Sequence, residues 1–104
     1  MSVEQVEQAR DYELYNGAQF RMDLWNQLQQ QARWAHGLSR GNSDASAPLG
    51  AIRATLATLR HMESYWASPG PDALDELDAL AGAGDLTGLW QRAGEIARPI
   101  VGDA

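Results

Sequence analysis

Cysteine and lysine are both absent from this chain of 104 residues. Without cysteine the chain forms no disulfide and no thiolate metal site. Without lysine it has no residue for a Schiff base, as pyridoxal phosphate requires, and no phosphate-binding lysine of the P-loop type. All eight basic residues are arginine. These absences exclude several classes of enzyme, and we predict no cofactor.

Long apolar runs and clustered positive charge are also missing. No segment approaches the roughly 18 apolar residues that span a bilayer, and the first residues contain no basic and apolar leader. We therefore expect a cytoplasmic protein without a membrane partner. The net charge is −6, with the arginines scattered among fourteen acidic residues. Because binding to phosphate backbones needs clustered positive charge, we expect no nucleic-acid partner.

Apolar residues recur at steps of three and four, which is typical of amphipathic helices, and no alternating strand pattern occurs. The pattern predicts a long first helix over residues 3–37, with a gap near Arg10 and a possible break at Gly17. A loop at 39–47 leads to a second helix that starts near Pro48 and ends before a turn at 68–71. The expected fold is all-α: one domain over residues 1–104, a small helical bundle with one long N-terminal helix and three shorter helices.

The second helix has an apolar seam in which Glu63 occupies one of the apolar positions. The seam residues are Leu49, Ile52, Leu56, Leu59 and Trp66. Asp72 and Asp85 are predicted N-caps of the third and fourth helices, because a short side-chain oxygen satisfies the free backbone N–H groups there. Glycines at 82 and 84 are expected to end the third helix.

No catalytic or metal-binding motif is apparent. Neither His36 nor His61 has a glutamate three residues before it, as the di-iron helix motif requires, and no zinc-type histidine pair occurs. Asp72 and Asp75 have the spacing to share a divalent ion, but carboxylates at a helix start are already explained by capping and the helix dipole. We predict no catalytic residue and no metal site.

The four tryptophans are candidates for the core or for an interface. Trp25, Trp66 and Trp90 fall on predicted inner stripes, together with Met22. Trp34 lies on a second apolar strip of the first helix, with Phe20 and Leu24. Because Trp and Arg are enriched at binding hot spots, the interface candidates are Phe20, Leu24, Arg33 and Trp34.

The segment from Leu59 to Gly70 reads LRHMESYWASPG, and it resembles a helical region of bacterial ornithine/lysine/arginine decarboxylases. The resemblance continues at later positions, which are Leu77, Leu80, Gly84-Asp85, Leu89 and Ile96. The resemblance covers at most residues 49–101, and Ser68 replaces an expected aromatic residue. The catalytic domain of that family is much longer and binds pyridoxal phosphate through a lysine. The resemblance therefore implies a bacterial accessory or assembly module, and no catalytic residue carries over.

These observations favour a non-enzymatic module that binds a protein partner or a second copy of itself, with a homodimer as one form. One alternative is a small-molecule-binding bundle or small enzyme with a tryptophan-lined pocket near His61, Tyr65 and Trp66. A second alternative is an acidic inhibitor that imitates nucleic acid, which would need most of its carboxylates on one face.

Overall fold

The computed structural model of the protein describes the backbone of residues 3–63 and 70–102, and the side chains of residues 17–63 and 70–102. It contains four α-helices and, in these ranges, no strand. They are α1 (Val3–Arg40), α2 (Ser46–Glu63), α3 (Pro71–Ala83) and α4 (Leu86–Val101). The predicted all-α bundle with one long first helix is confirmed. No described helix is long and apolar enough to cross a membrane.

The four helices form a closed ring around one core. Among the described residues, α1 contacts α2 and α4, and α3 contacts the same two helices. In the described part of α1, residues 17–40, the core begins at Leu24 and ends at Ala35. The largest side chains with less than 2% exposure are Trp25, Leu28, Pro48, Ile52, Leu56, Leu59, Leu74, Leu77 and Leu89. The predicted seam residues Ile52, Leu56 and Leu59 of α2 therefore do face the core.

Two residues that were predicted to face inward are partly exposed. Trp90 is 38% exposed and Met22 is 37% exposed. Met22 precedes the first buried residue in the described part of α1. Trp25, by contrast, is fully buried as predicted. Trp66 and the first half of the turn at 68–71 lie outside the described residues.

Residues in the left-handed backbone conformation end two of the helices, α1 and α3. After α1, Asn42 has φ 58°, and the carbonyl of Leu38 accepts a 2.8 Å bond from the N–H of Ser43. After α3, Gly84 has φ 73°, and the carbonyl of Leu80 accepts a 3.0 Å bond from the N–H of Asp85. Both ends have the Schellman pattern, which satisfies carbonyls that the helix leaves free.

The N-cap predicted for α3 is wrong, and the N-cap predicted for α4 is confirmed. The N-cap of α3 is Gly70, with φ 85° and ψ 169°, followed by Pro71 at the first position. Asp72 therefore lies in the first turn and is not the cap, because proline begins the helix before it. The N-cap of α4 is Asp85, as predicted, and its side chain accepts a 3.0 Å hydrogen bond from the N–H of Gly88.

Candidate functional site

A groove of about 700 Å³ lies between the second half of α1 and the first turns of α4. Its lining residues are Asn26, Gln29, Gln30, Arg33, His36, Gly37, Arg40 and Trp90. The α1 residues recur at steps of three and four, so they share one side of that helix. Most of the lining is exposed, so the groove is open to solvent along its length.

The groove is positively charged in a protein whose net charge is −6. Its lining contains Arg33 and Arg40 and no acidic residue. The ion pairs between described residues involve Arg21, Arg60 and Arg92. Within that part of the chain, the groove arginines thus have no carboxylate partner. Their charges are available to an anionic group from outside the bundle.

One wall of the groove is aromatic and held in place. The rings of His36 and Trp90 stack with centroids 4.5 Å apart and an angle of 19° between their planes. Nδ1 of His36 lies 3.2 Å from the hydroxyl of Thr87, within hydrogen-bond distance. The stack joins α1 to α4, and the exposed part of Trp90 presents a rigid apolar surface to the groove.

Trp34 extends this surface along the outer side of α1. It is 52% exposed and lines a second hollow of about 410 Å³. This hollow shares Gln30, Arg33 and Gly37 with the larger groove. The two hollows therefore form one continuous surface, with an exposed tryptophan at one border and the stacked Trp90 at the other.

The interface candidates from the sequence do not all lie together. Arg33 and Trp34 line the groove surface, whereas Phe20 is 49% exposed and lines neither of its two hollows. Leu24 is only 7% exposed and belongs to the core, so the expectation that it lies on an exposed strip is wrong. The reason is the packing of α2 against α1, which places Leu24 in the core cluster.

A polar contact between α1 and α2 explains why this neighbouring surface is not a comparable site. The hydroxyl of Thr55 accepts a 3.1 Å hydrogen bond from the Gln27 amide and lies 2.8 Å from Oε1 of Gln31. The adjoining hollow has a volume of only about 250 Å³. Its polar groups are already paired, so this contact connects two helices and leaves little for a ligand.

The second notable cluster surrounds Glu63, whose side chain is 2% exposed. Arg21 donates from Nε to Oε1 at 2.6 Å and from Nη2 to Oε2 at 3.0 Å. The indole nitrogen of Trp25 donates a further 2.8 Å bond to Oε1. This buried carboxylate, with a bidentate arginine and an indole donor, connects α1 to α2.

The alternative pocket cannot be assembled from the described residues. His61 is exposed, and Tyr65 and Trp66 lie outside the described ranges. Residues 17–63 and 70–102 contain no group of three His, Cys, Asp or Glu side chains arranged to hold a metal ion. Asp75, one of the two carboxylates with metal-like spacing, is paired with Arg60 at 2.7 Å.

Of the eight residues that line the groove, only Arg33 was a candidate from the sequence, and the missed residues include His36, Arg40 and Trp90. Arg40 follows Arg33 by two helical turns, and His36 lies between them, so the spacing alone indicates a basic line on one side of α1. Trp90 gave no comparable signal, because its position on the α4 stripe indicates burial. Only the position of α4 against α1 determines that its ring stacks on His36.

Comparison with known proteins adds no relative. No protein-family model, no curated protein and no solved structure matches the chain. The resemblance of residues 49–101 to bacterial decarboxylases therefore stays a prediction.

Proposed function

We propose that this protein is a non-enzymatic helical interaction module that binds an acidic segment of a protein through the groove between α1 and α4. One observation carries the proposal: two arginines without a carboxylate partner in the described chain lie between two exposed tryptophans. Arginine and tryptophan are the residues most often found at interface hot spots. The groove lining is locally cationic, and charge complementarity at the contact favours an acidic partner.

The lining also suits a peptide chain. The amide side chains of Asn26, Gln29 and Gln30 can donate to backbone carbonyls and accept from backbone N–H groups. Arg33 and Arg40 are seven residues apart, about 10 Å along the helix at 1.5 Å per residue. That spacing matches carboxylates two turns apart on a helix.

A small-molecule site is the second candidate, because a volume of about 700 Å³ is within the usual range for ligand pockets of roughly 300–1,000 Å³. Such pockets bury most of the ligand surface, whereas most residues of this groove are exposed. The openness favours a protein segment, which needs less enclosure.

An acidic inhibitor is less consistent with the charges. Five carboxylates of the described residues are paired with arginine: Glu63, Asp75, Glu76, Asp78 and Glu95. A surface that imitates nucleic acid needs unpaired carboxylates in a row. These pairs instead spread neutralised charge over α2, α3 and α4.

The test is capture of partners from an extract of the source cells, with mass-spectrometric identification. The wild type is compared with Arg33→Glu/Arg40→Glu and with the matched control Arg53→Glu, which changes an exposed arginine outside the groove. We expect a protein, either a different chain or untagged copies of this one, that the wild type and the control retain and the double variant loses. Equal retention by all three proteins would contradict the proposed groove.

Trp34→Ala tests the apolar part of the same surface. Because the side chain is half exposed and lies outside the core, its removal is expected to leave the helices formed. Circular dichroism should therefore be unchanged while capture falls. Unchanged capture would remove Trp34 from the binding surface.

A further inference from the structure

The charge on one side of α1 is divided between its two ends. Helical periodicity places Glu4, Glu7 and Asp11 on the same line along the helix as Arg33 and Arg40. The middle of this line is less charged, and its residues are Tyr15, Ala18, Met22, Asn26 and Gln29. One side of a single helix therefore has an acidic end, a weakly polar centre and a basic end.

This division becomes complementary when two copies of α1 lie antiparallel. In an antiparallel pair centred on Met22, each position faces the position that is equally far on the other side of the centre. Arg40 then faces Glu4 of the second copy, and Arg33 faces Asp11. Because the pairing has two-fold symmetry, opposite charges face each other at both ends of the pair. A parallel pair would instead place like charges opposite each other.

The length of α1 also requires an explanation. Its 38 residues extend about 57 Å, whereas the 18 residues of α2 extend about 27 Å and the 16 of α4 about 24 Å. In the described part of α1, burial within the chain begins only at Leu24. The described residues 17–23 therefore contribute no buried apolar side chain to that core. Met22, at the centre of the charge pattern, is 37% exposed.

We propose that the acidic segment which occupies the groove is the N-terminal part of α1 from a second copy of this chain, in a two-fold antiparallel homodimer centred on Met22. This inference rests on the proposed function, since it assigns the partner of the same groove. The dimer forms four symmetry-related ion pairs, two of Arg33 with Asp11 and two of Arg40 with Glu4. The exposed methionines meet at the two-fold axis and supply the apolar centre of the interface.

Sedimentation equilibrium on charge-reversal variants tests the pairing. The wild type should form a species of twice the 11.4 kDa chain mass. Arg33→Glu/Arg40→Glu and Glu4→Arg/Asp11→Arg should each dimerise at least about tenfold more weakly, a change of roughly 1.4 kcal/mol or more. Mixing the two variants should restore dimers, because both ends of a mixed pair are again opposite in charge. The quadruple variant, with both ends reversed in one chain, should also dimerise as well as the wild type.

Several controls separate this inference from the proposed function. Arg53→Glu should dimerise like the wild type, and circular dichroism should show that every variant keeps its helices. A wild type that stays monomeric, or reversals that are not rescued by mixing, would overturn the homodimer. If capture of a different protein still depends on Arg33 and Arg40 in that case, the interaction groove stands and only its occupant is wrong. If neither dimerisation nor capture depends on them, both proposals fail.

Discussion

The indole nitrogen of Trp25 donates a 2.8 Å hydrogen bond to Oε1 of Glu63, across the contact between α1 and α2. Glu63 occupies an apolar position in the helical pattern of α2, and Arg21 neutralises it through two hydrogen bonds. Glu63 is therefore buried in the contact between the two helices with its carboxylate hydrogen-bonded. Such a cluster favours one alignment of the two helices, since a shifted register leaves a charge buried without its partner.

Glu63→Leu should destabilise the protein by about 3–5 kcal/mol, because it removes the buried carboxylate to which Arg21 and Trp25 both donate hydrogen bonds. Combining it with Arg21→Met should recover much of that loss, since the charge that faced Glu63 is then gone as well. Urea denaturation, followed by tryptophan fluorescence, measures all the variants. Purely additive effects of the two substitutions would show that the pair is not energetically coupled.

Leu56→Ala should cost about 2–5 kcal/mol, because the side chain is fully buried at the centre of the α2 seam and its loss leaves a cavity. The control is Thr58→Ala two residues later, at an exposed position, where a change within about 0.5 kcal/mol is expected. Thermal unfolding compares the two variants. Equal midpoints would mean that the seam does not carry the core.

Gly70→Ala should destabilise the protein by about 1–3 kcal/mol, because φ 85° with ψ 169° is a backbone region that almost only glycine adopts. Gly50→Ala is the matched control within α2, where an added Cβ meets no atom within 4 Å. It should stabilise the helix by about 0.5–1 kcal/mol, since alanine loses less backbone freedom on folding. The predicted effects have opposite signs, so chemical denaturation distinguishes them clearly. A neutral Gly70→Ala would show that this corner is not specified by its backbone geometry.

Asp85→Ala should cost about 0.5–2 kcal/mol through loss of the N-cap of α4. Gly88 is coupled to it, because a Cβ added there would lie 2.5 Å from Oδ2 of Asp85. We therefore expect Gly88→Ala to destabilise the wild type but to be neutral or stabilising in the Asp85→Ala background. A double-mutant cycle measures this reversal, and an identical effect in both backgrounds would argue against the clash.

Ser46→Ala should raise the pKa of Asp44 towards its ordinary value of about 3.9. In the folded protein this pKa is lowered, first by the hydrogen bond from the Ser46 hydroxyl and then by the bond from its backbone N–H. A lowered carboxyl pKa contributes stability above the unfolded value, and this contribution is lost as the pH falls through the folded value. Carboxyl chemical shifts, followed by NMR titration, test the change, and an unaltered midpoint would exclude the hydroxyl as its cause.

Helical periodicity by itself determined the four helices, the long first helix and the buried seam of α2. These features follow from local geometry, because apolar residues at steps of three and four line one side of a helix whatever lies opposite. The cap at Asp85 was predictable for the same reason, since the bond it accepts is only three residues away. The cap of α3 was wrong because Pro71 moves the start of the helix ahead of Asp72.

Only the tertiary structure decided what lies across from each residue at the edge of a helical stripe. Trp90 and Leu24 both occupy such borders, and their exposure depends on how a neighbouring helix crosses, which periodicity does not contain. The hydrogen-bond partners of Glu63 lie 42 and 38 residues earlier in the chain, so no local sequence pattern predicts them. The groove also depends on tertiary structure. Its basic residues follow from the sequence of α1, but its aromatic wall forms only because α4 packs beside His36.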